Sequence, residues 1–210
     1  MPYRNRVTPT GDLLAVPERG TLTGNRGVLH DPDGRIVRRW QVRRWITCEL
    51  RFRGRHRQVM APRRYTHLFF LDEVTALAAG HRPCAECRRA DYEAFRRCWS
   101  PAPDAVTGPD GAAARGLPAG LPSADAMDAV LHRERALLDG RRRTWPAAAA
   151  DLPDGTFVVL DDDSWVLRGG SLWRWTPGGY RAERPVPRGA LAVLTPPSTV
   201  GTLRAGYLVR

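Results

Sequence analysis

The clearest alternation of apolar and polar residues in this chain runs from position 45 to position 53. Its apolar members are Ile46, Cys48, Leu50 and Phe52, and its polar members are Thr47, Glu49, Arg51 and Arg53. Side chains of a strand alternate between its two faces. The pattern therefore predicts a half-buried strand over 45–53. Gly54 is expected to turn it, and residues 55–60 return as the second strand of a hairpin.

Two helices are predicted downstream of this hairpin. Asp72 is a residue type that caps helix N-termini, and Gly80 suits the left-handed position after the last helical turn, so we expect a helix over 73–79. A second helix is expected over 88–99, because three aromatic residues recur there on one side of a helical repeat. They are Tyr92, Phe95 and Trp99.

The C-terminal half predicts a helix followed by strands. Apolar residues at helical spacing begin at Met127 and continue to about Asp139, where Gly140 ends the pattern. Strands alternate with turn residues after that, which predicts an antiparallel meander. Its strands are 156–160, 165–168 and 172–175, with 191–194 as a candidate fourth.

The N-terminal segment is less periodic. Residues 1–27 are rich in Gly, Pro, Thr and Arg, which favours extended chain and turns. Asp31-Pro-Asp-Gly34 is a strong turn signal, and Ile36–Val42 is predicted as a strand after it.

These elements predict an α+β fold with two units. Residues 101–126 are mostly Pro, Ala, Gly, Asp and Ser and bury too little to offset their ordering entropy, so they are interpreted as a flexible linker. We expect a small hairpin and helix domain over 1–100. A helix and a small antiparallel β unit are expected over 127–210.

Charge adds a candidate partner. The net charge is +11, and residues 35–64 hold eleven arginines and one acidic residue, whereas residues 151–210 hold seven arginines and six acidic residues. This asymmetry predicts either a polyanion-binding surface on the first half or a solvated arginine face. One arginine side chain can bind a phosphate through two parallel hydrogen bonds, and nucleic acid is the predicted partner. The candidate arginines are Arg51, Arg53, Arg55 and Arg57 of the hairpin, with Arg88 and Arg89 at the start of the second helix.

The sequence also predicts the cellular compartment of the protein. No stretch approaches the roughly 20 apolar residues of a membrane span, and the first residues lack the apolar core of a secretory signal. We therefore expect a cytoplasmic protein with no membrane partner. A cysteine pair in that compartment indicates metal or redox chemistry more often than a structural disulfide.

Cys84 and Cys87 form a Pro-Cys-x-x-Cys turn that opens the second helix. Two thiolates at this spacing can hold one ion at the Zn–S distance of about 2.3 Å, and soft thiolates favour zinc or iron over magnesium or calcium. The N–H groups of the helix start would stabilise thiolate. A reduced pair without metal and a thioredoxin-like redox pair are the alternatives.

The segment 69–88 resembles the zinc-binding domain of Ada-like alkylation-response proteins. The shared features are Phe69-Phe70, an Ala-rich helix and Gly-x-Arg-Pro-Cys-x-x-Cys-Arg ending at 88. The resemblance extends loosely over 42–99 and does not reach the C-terminal half. It implies that the expected hairpin and helix domain over 1–100 is stabilised by zinc and contacts DNA. Methyl transfer from a methylated DNA phosphate to an upstream cysteine is a family activity.

The family's upstream ligands are Cys-x-x-x-Cys, and this chain differs there. Cys48 matches the first cysteine, no second follows, and His56 falls near its position. The resemblance thus implies a zinc site of Cys48, His56, Cys84 and Cys87. From the residues alone, Cys48 is equally a candidate core cysteine and His56 a surface histidine, and His67 and His81 are competing ligands. Cys98 is expected in the core.

A different reading uses His132 and Glu134. Zinc deaminases combine His-x-Glu with Pro-Cys-x-x-Cys, a metal-bound water and the glutamate as general acid and base. Both parts occur here in reversed order. Three hypotheses therefore stay open: a zinc protein that contacts DNA, in repair or alkyl-damage response; a hydrolytic zinc enzyme using Cys84, Cys87, His132 and Glu134; and a structural zinc module for a protein partner.

Overall fold

The computed structural model describes residues 1–54, 58–61, 63–100, 120–135 and 142–210. These residues contain four helices and two six-stranded sheets, so the α+β prediction is confirmed. None of the helices in this part of the chain has the length and apolar character needed to cross a membrane.

The N-terminal sheet is mixed and has the order β2-β1-β5-β3-β4-β6. Its β1·β5 and β4·β6 pairs are parallel and the others are antiparallel. Residues 1–27, predicted as extended chain and turns, supply three of its strands. The strands are β1 (Arg4–Val7), β2 (Leu13–Ala15), β3 (Leu22–Asn25), β4 (Ile46–Glu49), β5 (Leu68–Phe70) and β6 (Arg82–Pro83).

The strand predicted over Ile36–Val42 does not form. Ile36 makes an isolated bridge with His30, and Val37 and Val42 face solvent. The loop is instead tied to the preceding chain by single backbone bonds, such as Val37 N–H to the carbonyl of Leu29 at 2.9 Å. Ile36 packs at the edge of the N-terminal core, but its apolar neighbours Val37 and Val42 are exposed, so the segment has no buried face.

The predicted strand over 45–53 forms only as β4, and its faces are reversed. Thr47 is 1% exposed and turned inward, whereas Leu50 is 47% exposed. Ile46 and Cys48 are half-buried on the opposite side. Pairing with β3 and β6 places the Thr47 face against buried polar groups, so the polar side is the inner side. The predicted hairpin is not confirmed, because the strand ends at Glu49 and residues 55–57 lie outside the described residues.

The first two helices begin and end within one residue of their predicted bounds. The third begins three residues earlier than predicted, its predicted end at 136–139 lies outside the described residues, and the fourth was not predicted. The carboxylate of Asp72 accepts from Thr75 N–H at 2.9 Å, and Gly80 has a φ of +86° directly after the C-cap. A Cβ at Gly80 would also clash with the Arg135 side chain. The helices are α1 (Glu73–Ala78), α2 (Arg89–Cys98), α3 (Ala124–Arg135) and α4 (Pro197–Arg204). The predicted aromatic face of α2 is buried.

The C-terminal sheet is antiparallel throughout, with the order β11-β10-β9-β8-β12-β7. It contains the predicted three-strand meander, extended by a fourth strand, and the candidate strand at 191–194. Its strands are β7 (Trp145–Ala148), β8 (Phe157–Leu160), β9 (Asp163–Arg168), β10 (Ser171–Thr176), β11 (Gly179–Pro185) and β12 (Ala190–Val193).

The two predicted units share a core. One apolar cluster joins Leu77 and Phe95 from the first half to Met127, Leu131 and Leu203 from the second. A division into independent cores at 1–100 and 127–210 is therefore not seen. Of the predicted linker, residues 101–119 lie outside the described residues, and its last three residues belong to α3.

Polar contacts reinforce this junction. Arg82 on β6 donates two hydrogen bonds to Asp128 on α3, at 2.9 and 2.7 Å, and both side chains are buried. The hydroxyl of Tyr207 donates to Glu73 at 2.7 Å, and that of Tyr180 donates to Asp72 at 2.6 Å. Residues around the first helix are thus held by the C-terminal half.

A second junction surrounds Trp45, the residue before β4. The buried guanidinium groups of Arg26 and Arg135 stack on its ring, with their central carbons 4.2 and 4.1 Å from the centroid. Arg135 donates to the carbonyl of Gly80 at 2.7 Å. Cation–π contacts strengthen when desolvated, so this stack anchors the entry to β4.

Removing the carboxylate of Asp128 tests the first junction. The Asp128→Ala variant leaves the Arg82 guanidinium buried without its partner, and we expect a loss of about 3–5 kcal/mol in the free energy of unfolding. Asp125→Ala on the same helix is the control. Its partner Arg44 is mostly exposed, so the cost is expected to stay below about 1 kcal/mol. Urea unfolding of both variants measures the difference, and equal losses would contradict this account.

Candidate metal centre

Parallel pairing of β4 with β6 creates the candidate site. Thr47 pairs with Pro83 in register, and the N–H of Cys84 donates to the carbonyl of Thr47 at 2.9 Å. The next residues, Cys48 and Cys84, are therefore neighbours at the ends of adjacent strands. The Pro-Cys-x-x-Cys turn then brings Cys87 back towards both, just before α2.

The sulfur atoms of Cys48, Cys84 and Cys87 lie within 4.8 Å of one another. Ligands of a tetrahedral zinc–sulfur site with bonds of about 2.3 Å are separated by about 3.8 Å, so small side-chain adjustments suffice to place all three on one ion. No other such cluster of histidine, cysteine or acidic side chains occurs in the described part of the chain. The three cysteines can hold a metal ion.

Backbone groups stabilise charge on this sulfur cluster. The N–H of Glu86 points at the sulfur of Cys84 and that of Glu49 at the sulfur of Cys87, both at 3.4 Å. The thiols of Cys48 and Cys87 donate to Cys84 and lower the pKa of that thiol, whereas donating to Cys84 and Cys87 raises the pKa of Cys48. A soft cation that binds the three sulfurs would displace the protons of these thiols.

The other histidines and the fourth cysteine of the sequence analysis lie in different surroundings. His56 lies outside the described residues, so its predicted role stays a prediction. His81 is fully buried beside Phe70 and Trp45, and its Nε2 accepts from Arg26 Nε at 3.3 Å. Burial, reinforced by the Arg26 charge, lowers the pKa of His81. Cys98 packs beside the apolar cluster that includes α2, as predicted.

A cavity of about 260 Å³ opens beside the sulfur cluster. Beyond the three cysteines it is lined by Thr23, Asn25, Ile46, Glu49, Leu50, Phe52, Val59, Tyr65, His67, Phe69 and Glu86. Thr23, Asn25 and Tyr65 were not predicted at this site, because they come near the cysteines only through pairing of β3 with β4 and β5. His67, weighed as a ligand, lies on the same cavity wall.

The predicted DNA-binding arginines separate into three groups. Arg88 is buried, with Glu73 at 2.8 Å and Asp91 at 2.9 Å, and it donates to the hydroxyl of Thr47. This pairing removes Arg88 from the predicted surface. Arg89 is exposed and pairs with Glu93 one turn along α2.

The hairpin arginines are only partly described. Arg51 and Arg53 are exposed, but they lie in the bend and turn after β4 rather than on a strand face. Arg53 has a φ of 50°, and its guanidinium lies 4.9 Å from the centroid of Phe52. Arg55 and Arg57 lie outside the described residues.

His132 and Glu134 do not join the cysteines. His132 packs edge-on against Trp40, with ring centroids 4.6 Å apart. Glu134 is buried and accepts from the hydroxyl of Ser198 at 2.6 Å and from its N–H at 3.2 Å. In the described residues this carboxylate therefore caps α4, and the arrangement of a zinc deaminase is not formed.

Comparison of the chain with protein-family models, with curated proteins and with solved structures finds no match. The resemblance to Ada-like zinc domains over 42–99 stays a prediction.

Glu134 makes stability depend on pH. Burial raises the pKa of its carboxyl from 4.5 to about 7, against the opposing hydrogen bonds from Ser198. The folded state therefore binds more protons than the unfolded state between these values, so stability falls as pH rises from about 4.5 to 7. The fall attributable to Glu134 is on the order of 3 kcal/mol. Urea unfolding across this range should show it in the parent protein, and parallel curves for the parent and Glu134→Gln would contradict it.

Proposed function

We propose that this protein binds zinc through Cys48, Cys84 and Cys87 and contacts the phosphate backbone of DNA beside that site. The observation that carries the proposal is a cavity lined by the three cysteines and by residues of the arginine-rich segment 50–71, with Glu49 and Glu86 also in its lining. A candidate metal site would thus lie next to a segment that can bind phosphate.

Zinc is the metal that this donor set favours. Three thiolates are soft ligands with a preference for zinc, copper(I) or iron–sulfur chemistry over magnesium or calcium. Zinc joining Cys48 to the 84–87 turn would fasten β4 to the start of α2. Three thiolates on a dication leave a net negative charge, which weakens the metal as a Lewis acid for hydrolysis. The fourth ligand would be His56, which lies outside the described residues, or a molecule in the cavity.

The positive surface is the segment from 50 to 71, which contains six arginines and no acidic residue. Its described arginines are exposed and have no carboxylate partner among the described residues: Arg51, Arg53, Arg63 and Arg64. By contrast, Arg39 and Arg44 elsewhere in the basic half pair with Asp12 and Asp125. A guanidinium group without a carboxylate partner can bind a phosphate through two parallel hydrogen bonds. Its charge also attracts DNA over several ångströms.

A second function, alkyl acceptance, is favoured by the position of Cys48. Cys48 is half-buried and lines the cavity, so a substrate group there could approach its sulfur. A thiolate would attack the methyl carbon of a methylated phosphate, forming an S–C bond as the C–O bond breaks and a phosphodiester anion leaves. The negative charge of a three-thiolate zinc site supports such a nucleophile. Each molecule would react once.

Metal content tests the zinc site. Cys48→Ser and Cys84→Ser are expected to lose most of the zinc that copurifies with the parent protein, because each removes one of three thiolates. Cys98→Ser is the matched control and should keep it, since Cys98 packs at the apolar cluster. Elemental analysis of the purified proteins reads the result directly. Full zinc retention in Cys48→Ser would overturn the three-cysteine site.

Electrophoretic shift of labelled duplex DNA tests the surface. The Arg51→Ala/Arg53→Ala variant should bind more weakly and reduce the slope of log K against log salt by about 1.8, or about 0.9 for each lost phosphate contact. The control is Arg181→Ala/Arg188→Ala, which removes the same charge from exposed positions in the C-terminal half. No shift by the parent protein at low salt, or an equal loss in both variants, would count against DNA binding.

Intact-protein and peptide mass measurement tests alkyl acceptance. Incubation with DNA carrying methylated phosphates should add the mass of one methyl group to the peptide that contains Cys48, and Cys48→Ser should remain unmodified. The same incubation with unmethylated DNA is the control. An unchanged mass in the zinc-loaded parent protein would rule this function out.

A further inference from the structure

The cavity beside the sulfur cluster has features that phosphate binding does not require. Its walls include the rings of Phe52, Tyr65, Phe69 and His67. Tyr65 and His67 lie against each other, with centroids 4.6 Å apart and planes tilted by 39°. Aromatic walls of this kind present faces and edges on which a flat ring can stack.

The dimensions of the cavity limit its occupant. Its volume of about 260 Å³ is below the ~300–1,000 Å³ of pockets for drug-sized ligands. One heterocyclic ring is thus a better fit than a whole nucleotide or a folded peptide segment. The aromatic lining favours a planar occupant over a branched aliphatic one.

Polar groups on one wall could orient a ring by its edge. Asn25 lines the cavity from β3, and its side-chain oxygen accepts from the N–H of Gly27 at 3.4 Å. This leaves the amide nitrogen as a donor, the group with which asparagine contacts base edges. The hydroxyl of Thr23 donates to the carbonyl of Leu68 at 2.9 Å and so offers an acceptor.

Exposed arginines adjoin the cavity lining in sequence. Glu49 and Glu86 also line the cavity, and the Glu49 carboxylate lies 3.7 Å from Arg88. Leu50 and Phe52 line the cavity, and the exposed Arg51 and Arg53 alternate with them in sequence. A strand of nucleic acid lying along these guanidinium groups would therefore have its bases next to the opening. Positive grooves beside stacking aromatics are the usual design of sites for single strands.

We propose that this cavity binds one unstacked base of single-stranded DNA, with the flanking phosphates on Arg51 and Arg53. The proposal rests on the proposed function, because the same arginines supply the phosphate contacts. It extends that function by naming the substrate class. DNA with an accessible base would bind better than a backbone of equal charge without bases.

Two ligands of equal charge distinguish binding of a base from binding of the phosphate backbone alone. One is a thymidine oligonucleotide of about 12 residues, within the site sizes of single-strand binding folds; the other is an abasic phosphodiester chain of the same length. Fluorescence anisotropy of labelled ligands gives both dissociation constants. We expect the zinc-loaded parent protein to prefer the thymidine oligonucleotide by about tenfold, the scale of one stacked base.

Variants of Tyr65 test whether the preference for the thymidine oligonucleotide arises in this cavity. Tyr65→Leu should abolish the preference by weakening thymidine binding alone, whereas Tyr65→Phe keeps the ring and should preserve it. Tyr3→Leu, at an exposed tyrosine that does not line the cavity, is the matched control. Circular dichroism and zinc content establish that each variant is folded.

The outcomes are distinct. Binding of neither ligand at low salt would refute DNA binding itself, and with it this inference. Equal affinity for both ligands would leave the proposed function standing and overturn the base pocket. A preference that survives unchanged in Tyr65→Leu would also overturn it, because the base would then be read elsewhere.

Discussion

The parallel pairing of β4 with β6 is the contact on which the candidate site depends. It joins two short strands that are separated by more than thirty residues of sequence, and its register places Cys48 beside Cys84. Two-residue strands such as β6 gain little from their own hydrogen bonds. The surrounding packing therefore has to hold this pair in place, and a metal ion shared by the three cysteines would add a cross-link at the same point.

Buried charges provide much of that packing. Arg82 is fixed by Asp128, and Arg88 by Glu73 and Asp91, so the segment that carries Cys84 and Cys87 has an anchored guanidinium on each side. The inner face of β4 is polar for the same reason, since the hydroxyl of Thr47 accepts from Arg88. Such pairs are costly to break but contribute little net stability. Their effect here is to determine where the sulfur atoms lie.

These two constraints separate the arginines of the chain by role. Arg82 and Arg88, which precede the second helix, are buried and paired with carboxylates, whereas Arg51, Arg53, Arg63 and Arg64 remain exposed. A net charge of +11 therefore says less about partners than the location of the unpaired guanidinium groups. The proposed DNA contact and base pocket both follow from that location, next to aromatic walls and a soft metal site.

The amino-acid sequence by itself determined the elements whose causes are local. Five features depend on residues that are a few positions apart in the sequence. They are the Asp72 cap, the left-handed Gly80, the aromatic face of α2, the C-terminal meander and the turn from Cys84 to Cys87. Only the tertiary structure decided four other features. They are the inward face of β4, the burial of Arg88, the shared core of the two halves, and the cavity walls that include Asn25 and Tyr65. Each of these requires strands or helices distant in sequence to meet, and a strand's periodicity shows that it has two faces without showing which of them another element will cover.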